Sequence, residues 1–100
     1  MLKTIRVYGR LARFLGRRVF EADVSSAAEA VRFLLANFPQ LEPHMAEQHY
    51  RVRVGDASLG LEELGHPSGQ QIIRIVPVIG GAGGGVGKVL AGVALIAAAV

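Results

Sequence analysis

Between residues 80 and 85 the chain reads Gly-Gly-Ala-Gly-Gly-Gly, six positions with almost no side chain. Such a run has no apolar face to bury and behaves as a flexible connector. It divides the 100 residues into a body over 1–79, a linker over 80–87 and a tail over 88–100. The tail is the unusual part. Residues 79–100 supply 14 of the 51 hydrophobic residues, and from Val89 onward twelve residues pass without a polar side chain. A membrane-spanning helix needs about 20 such residues, so this stretch is too short to cross a bilayer as it stands. Its small residues let apolar helices approach closely. The expectation is a helical tail with Val89, Leu90, Leu95 and Ile96 buried in a partner protein. Membrane contact ranks below that.

The body carries an ordinary share of apolar residues. About 78 residues bury only some 60–65% of their unfolded surface, so its core must be compact and well patterned. The chain has no cysteine. That excludes a disulfide framework, a thiolate nucleophile, a redox pair and a zinc finger. The first residues interleave charge with apolar side chains and contain no run of signal-peptide length, which makes a cytoplasm the default setting.

Ile5 and Val7 alternate with Arg6 and Tyr8, and Phe20, Ala22 and Val24 alternate with Glu21 and Asp23. Both segments have the two-residue period of a half-buried strand. Gly9 and Gly16 bracket the residues between them, which read as a broad hairpin loop. Ser26 stands three residues before Glu29, the spacing of a capping box, so a helix begins there. Val31, Leu34, Leu35 and Phe38 form one apolar stripe on it. Pro39 ends it. Residues 40–49 read as a connection, with a helical turn after Pro43. Tyr50, Val52 and Val54 alternate with Arg51 and Arg53 as a third strand, with both arginines on its outer face. Gly55-Asp56 marks a turn, residues 57–59 a short edge strand, and residues 61–64 a helical turn. Residues 72–78 are the most apolar, β-branched segment before the tail, and suit a strand covered on both faces.

The most buried strand thus comes last and cannot be a hairpin partner of the first. Laying it parallel to the first, with the helix across one face, satisfies the right-handed crossover rule. The expectation is an α+β fold of the ubiquitin-like β-grasp type: a mixed sheet of four or five strands and one packed helix.

Catalytic chemistry finds little support. His44 and His49 do not share a helical face, and His66 lies in a loop, so no metal or cofactor is expected. The serines lack a histidine and carboxylate in any legible arrangement. Gly87-Lys88 precedes Val89, where a phosphate-binding loop needs Ser or Thr. Lys3, Arg6, Arg10, Arg13, Arg17 and Arg18 all precede the first acidic residue, Glu21. With no recognition helix and few aromatics among them, a protein-facing basic rim fits better than nucleic acid. Arg17, Arg18, Arg51 and Arg53 are the candidate partner-binding residues on the body, since arginine is enriched at interfaces. Gly80, Gly81, Gly83, Gly84 and Gly85 are the candidate hinge or cleavage positions. Because Gly80-Gly81 follows the last strand, a modifier or sulfur carrier activated at Gly81 after proteolysis is the rival reading.

Arg6-Val7-Tyr8-Gly9, Arg13-Phe14 with Gly16-Arg17-Arg18, Ala28-Glu29-Ala30, Tyr50-Arg51-Val52-Arg53 and Ile75-Val76-Pro77 leading into the glycine run occur in an order and spacing that resembles the lambda tail assembly protein I family of long-tailed bacteriophages. The resemblance runs from Ile5 to the apolar tail. It implies a β-grasp head, a hinge and a hydrophobic C-terminal part acting without catalysis in tail-tip assembly, before the tail tube polymerises. As partners it implies the central tail-tip or host-specificity protein and a tail-tip protein with peptidase and cell-wall hydrolase domains. The setting it implies is the host cytoplasm during assembly, and the virion tail tip. Relatives continue beyond the apolar stretch, whereas this chain stops within it at Ala-Ala-Ala-Val.

Overall fold

The computed structural model describes residues 2–69, 72–79 and 88–99. The elements are β1 (Lys3–Val7), α1 (Gly9–Leu15), β2 (Val19–Ala22), α2 (Ala27–Asn37), α3 (Leu41–Ala46), β3 (His49–Val54), β4 (Ala57–Ser58), a 3-10 turn (Leu61–Glu63), β5 (Ile73–Val78), β6 (Leu90–Ala91) and α4 (Gly92–Ala99). The fold is α+β around one mixed sheet in the order β2-β1-β5-β3-β4, with β6 also paired to β3.

The first and last strands of the body lie side by side and parallel, Ile5 opposite Ile73 and Val7 opposite Ile75. β2 pairs antiparallel with β1, and β3 antiparallel with β5 along their full lengths. Pro77 lies beyond the last residue that β1 pairs, so its missing donor breaks no bond to β1. Ile5, Val7, Ile73, Ile75, Tyr50 and Val52 fill one face of the sheet and are buried.

α2 covers that face. The Ser26 hydroxyl accepts from the Glu29 amide at 3.2 Å, as its spacing predicts. The glutamate carboxylate reaches one residue further back than a capping box requires, accepting from the Ser25 amide and hydroxyl, each at 2.9 Å. The helix ends at Asn37, two residues before Pro39. Its buried stripe is Ala27, Ala30, Val31 and Leu34, one turn earlier than expected. Phe38 instead lies at the flank, edge-on to the buried Phe20 at 5.7 Å between ring centroids.

Four expectations need correction. The stretch between the first two strands is a helix, α1, whose Leu11, Ala12 and Leu15 are buried; Gly16, at φ 79°, caps its C-terminus. α3 begins at Leu41, before Pro43, a position a helix tolerates in its first turn. β5 is covered on one face only, because Arg74, Val76 and Val78 alternate with buried Ile73 and Ile75 and remain half-buried. Finally, the sheet has six strands and the described residues form four α-helices, because the tail returns to the body. β6 joins β3, Tyr50 opposite Leu90, and α4 lies against α2 and α3. No helix among the described residues is long and apolar enough to cross a membrane.

Candidate partner-binding surface

Cross-strand partners in a sheet share a face. Opposite the core, that face carries Thr4 and Arg6 of β1, Val19 and Glu21 of β2, Arg74, Val76 and Val78 of β5, His49, Arg51 and Arg53 of β3, and Ser58 of β4. None of these residues is buried. A sheet with one packed and one open face is the ordinary condition for antiparallel pairing.

The arginines on this face are in register. Arg6 lies opposite Arg74, and Arg74 opposite Arg53, so three guanidinium side chains form a row across β1, β5 and β3. Arg51, opposite Val76, adds a fourth next to the row. Arg74 is oriented by Tyr8, whose hydroxyl accepts from its Nε at 3.2 Å. The Arg51 Nε is buried without a hydrogen-bond partner. The one carboxylate on the face, Glu21, is opposite Thr4 on the outermost strand.

Next to this row, two adjoining grooves run along the β1–α1 junction. One, about 220 Å³, is lined by Arg6, Val7, Tyr8, Gly9 and Arg18. The other, about 310 Å³, is lined by Gly9, Ala12, Arg13, Gly16, Arg17 and Arg18. Among the described residues, no carboxylate lines either. Arg17 is held locally, its guanidinium 4.8 Å from the Phe20 ring centroid and an Nη2 donating to the Val19 carbonyl at 3.2 Å.

The structure therefore brings Arg53 and Arg51 together with Arg6 and Arg74, and puts Arg17 and Arg18 at the neighbouring groove. Arg6 and Arg74 escape a reading of the sequence that treats each strand separately, since only the register between strands reveals the row. The signal was Arg74 itself, the single charge in an otherwise apolar strand.

The four tail residues land elsewhere. Leu90 and Leu95 are buried within this chain, and Val89 and Ile96 are partly buried. Both leucines are covered by this chain's own core. α4 packs against α2 and α3, and Leu95 joins the buried core. The segment is pinned at its start: the Lys88 amide donates to the Ser58 hydroxyl at 3.1 Å and its Nζ to Glu63 at 2.9 Å. Gly80, Gly81, Gly83, Gly84 and Gly85, the candidate hinge positions, lie outside the described residues.

The histidines do not converge. His44 stacks on Phe14 at 4.1 Å, while His49 and His66 are exposed on β3 and in a loop. Among the described residues no three metal-ligating side chains come together. Ser26 and Ser68 are buried in structural roles, the first as a cap and the second with its amide on the Ser25 carbonyl at 2.8 Å.

No family model and no solved structure matches the chain. Among curated proteins, it is similar to the tail tip assembly protein I of Escherichia phage lambda, 37% identical over an alignment of 100 residues. That alignment takes in 93% of this chain and 44% of the relative, so the chain spans less than half the relative's length.

Proposed function

The similarity supports membership of the phage tail assembly protein I family, and from that premise we propose that this chain is a non-enzymatic assembly factor of the tail tip. The identity over 93% of the chain is the observation that carries this reading. In it, the head binds the central tail-tip or host-specificity protein in the host cytoplasm, through Arg17, Arg18, Arg51 and Arg53. A tail-tip peptidase or hydrolase protein is a second companion, and a cut near Gly80 and Gly81 releases the head. The finished complex sits at the virion tail tip.

A β-grasp head is part of the proposal. What supports it is the central parallel pair β1 and β5, the antiparallel neighbours on either side, and one long helix, α2, crossing the packed face. The docked β6–α4 segment changes the expected mechanism. Leu90 and Leu95 are part of the head's own core, so their insertion into a tip requires that they first leave it. A cut at Gly80 or Gly81, which the modifier reading also requires, would remove both leucines from the head's core.

Tagged full-length chain recovered from infected cells tests the proposal. It should bring down tail-tip proteins; recovery of an adenylating enzyme alone would overturn it.

A further inference from the structure

We propose that the open sheet face, centred on the row Arg6, Arg74 and Arg53, receives an acidic helix of a partner protein. The inference rests on reading this face as the contact surface of the assembly role, and adds the chemistry of what lies on it.

Like charges directly opposite in a sheet oppose folding. Here three are aligned on adjacent strands, at the centre of the sheet, with the nearest carboxylate of the face on the outer strand. A sequence kept for stability alone would alternate charges at these positions. Departures from local rules of this kind concentrate where a protein meets a ligand. The row is also oriented, since the Tyr8 hydroxyl accepts from the Arg74 Nε at 3.2 Å.

The cations of the face are all arginines. Lys3 belongs to the other face and donates to the Val24 carbonyl, and Lys88 is paired with Glu63. Arginine forks match carboxylates in a planar, bidentate manner. Val19, Val76 and Val78 lie among them on the same face, at least half-buried or exposed. An arginine cluster among apolar side chains has the composition of a protein interface, whereas a phosphate-tracking surface is predominantly cationic.

Spacing selects a helix. Neighbouring strands lie about 4.8 Å apart, so the Cα atoms of the row stand at roughly that interval. Carboxylates four residues apart on a helix are spaced at about 5–6 Å. A helix laid across the strands, with acidic residues at i, i+4 and i+8, meets Arg6, Arg74 and Arg53 in turn.

The test uses the full chain and two labelled alanine-based helical peptides of identical composition. One carries three glutamates at i, i+4 and i+8; in the other the same glutamates are distributed around the helix. Fluorescence anisotropy should show the in-line peptide binding several-fold more tightly, with rising ionic strength weakening it. Arg53→Gln and, separately, Arg6→Gln should each weaken it about tenfold, the order set by one charge-assisted hydrogen bond. The thermal midpoint of each variant should hold or rise, because repulsion in the row is relieved; a residue serving only the fold would lower it. Equal binding of both peptides, unchanged binding in both variants, or displacement of the peptide by duplex DNA at equal charge would overturn the inference. A chain that recovers tail-tip proteins from infected cells yet ignores the in-line peptide sinks this inference and leaves the assembly role standing. One that binds the peptide but recovers no tail-tip protein sinks the assembly role.

Discussion

Gly92 sits directly under the backbone of Met45: a Cβ at residue 92 would overlap the Met45 carbonyl oxygen and stand 3.0 Å from that of Gln48. The Gly92 amide donates to the same Gln48 carbonyl at 2.8 Å. Both obstacles are backbone, so neither can swing aside. Gly92→Ala should therefore push the start of α4 off the end of α3, with a loss of about 1–3 kcal/mol, the usual cost of overpacking. Urea titration of the full chain would measure it.

The docked helix makes an internal comparison available. Leu95 is fully buried, whereas Val93, two residues earlier, is 57% exposed. Leu95→Ala should cost about 2–5 kcal/mol, and Val93→Ala should stay within about 0.5 kcal/mol of the parent. Equal effects in thermal melts would mean that α4 is not seated as described.

Tyr50 is buried on β3, and its hydroxyl has no hydrogen-bond partner. Burial pushes its pKa up to about 12, from an ordinary value of 10.0. The folded chain keeps Tyr50 neutral where the unfolded chain ionises it, so stability present below pH 10 should fall between 10 and 12. Spectrophotometric titration should show a late phenolate transition that Tyr50→Phe abolishes. Removing an unsatisfied hydroxyl should leave stability near the parent's or above it.

At the acid end, Glu29 and Glu63 act in the opposite sense. The Ser25 amide and hydroxyl hold the Glu29 carboxyl below its usual 4.5, and the Gly60 amide, followed by Lys88, does the same for Glu63. Their contribution is complete above pH 4.5 and disappears as the pH falls through the lowered values. Glu63 in turn raises the Lys88 pKa above 10.5, a contribution present below that pH and lost on going higher. Thermal midpoints followed against pH should therefore decline at both extremes. Glu63→Gln should flatten part of each decline, while Glu29→Gln should flatten the acid side alone.

The Ser26 cap is a separate test of the α2 boundary. Ser26→Ala leaves the Glu29 amide without its acceptor and should cost about 1 kcal/mol in chemical denaturation. Ser26→Asp should recover most of it.

The strands and the main helix were legible because each carries its period openly: Ile5 and Val7, Tyr50 and Val52, and the Ser26 to Glu29 spacing all describe local geometry. The parallel pairing of β5 with β1 followed from chain order and burial alone. α1 was obscured by its bracketing glycines, although Leu11, Ala12 and Leu15 have helical spacing; Gly16 is a helix cap rather than a loop residue. The return of the tail was not legible at all. Apolar composition says that Leu90 and Leu95 must be covered, but not by what, and the answer depends on Gly92 fitting beneath Met45. The candidate surface was half visible, since the outward arginines of β3 could be read from their alternation, while their alignment with Arg74 and Arg6 exists only in the register.

β6 and β4 divide the outer border of β3 between them. β4 pairs Arg53 and Val54, β6 pairs Tyr50 and His49, and the Leu59 amide donates to the Val52 carbonyl in between at 2.9 Å. Neither piece exceeds two residues. An edge sealed in such short lengths gives an incoming chain no template for strand addition. Self-association through amyloid-like stacking is thereby discouraged at one border of the sheet, and β4 and β6 together provide that protection.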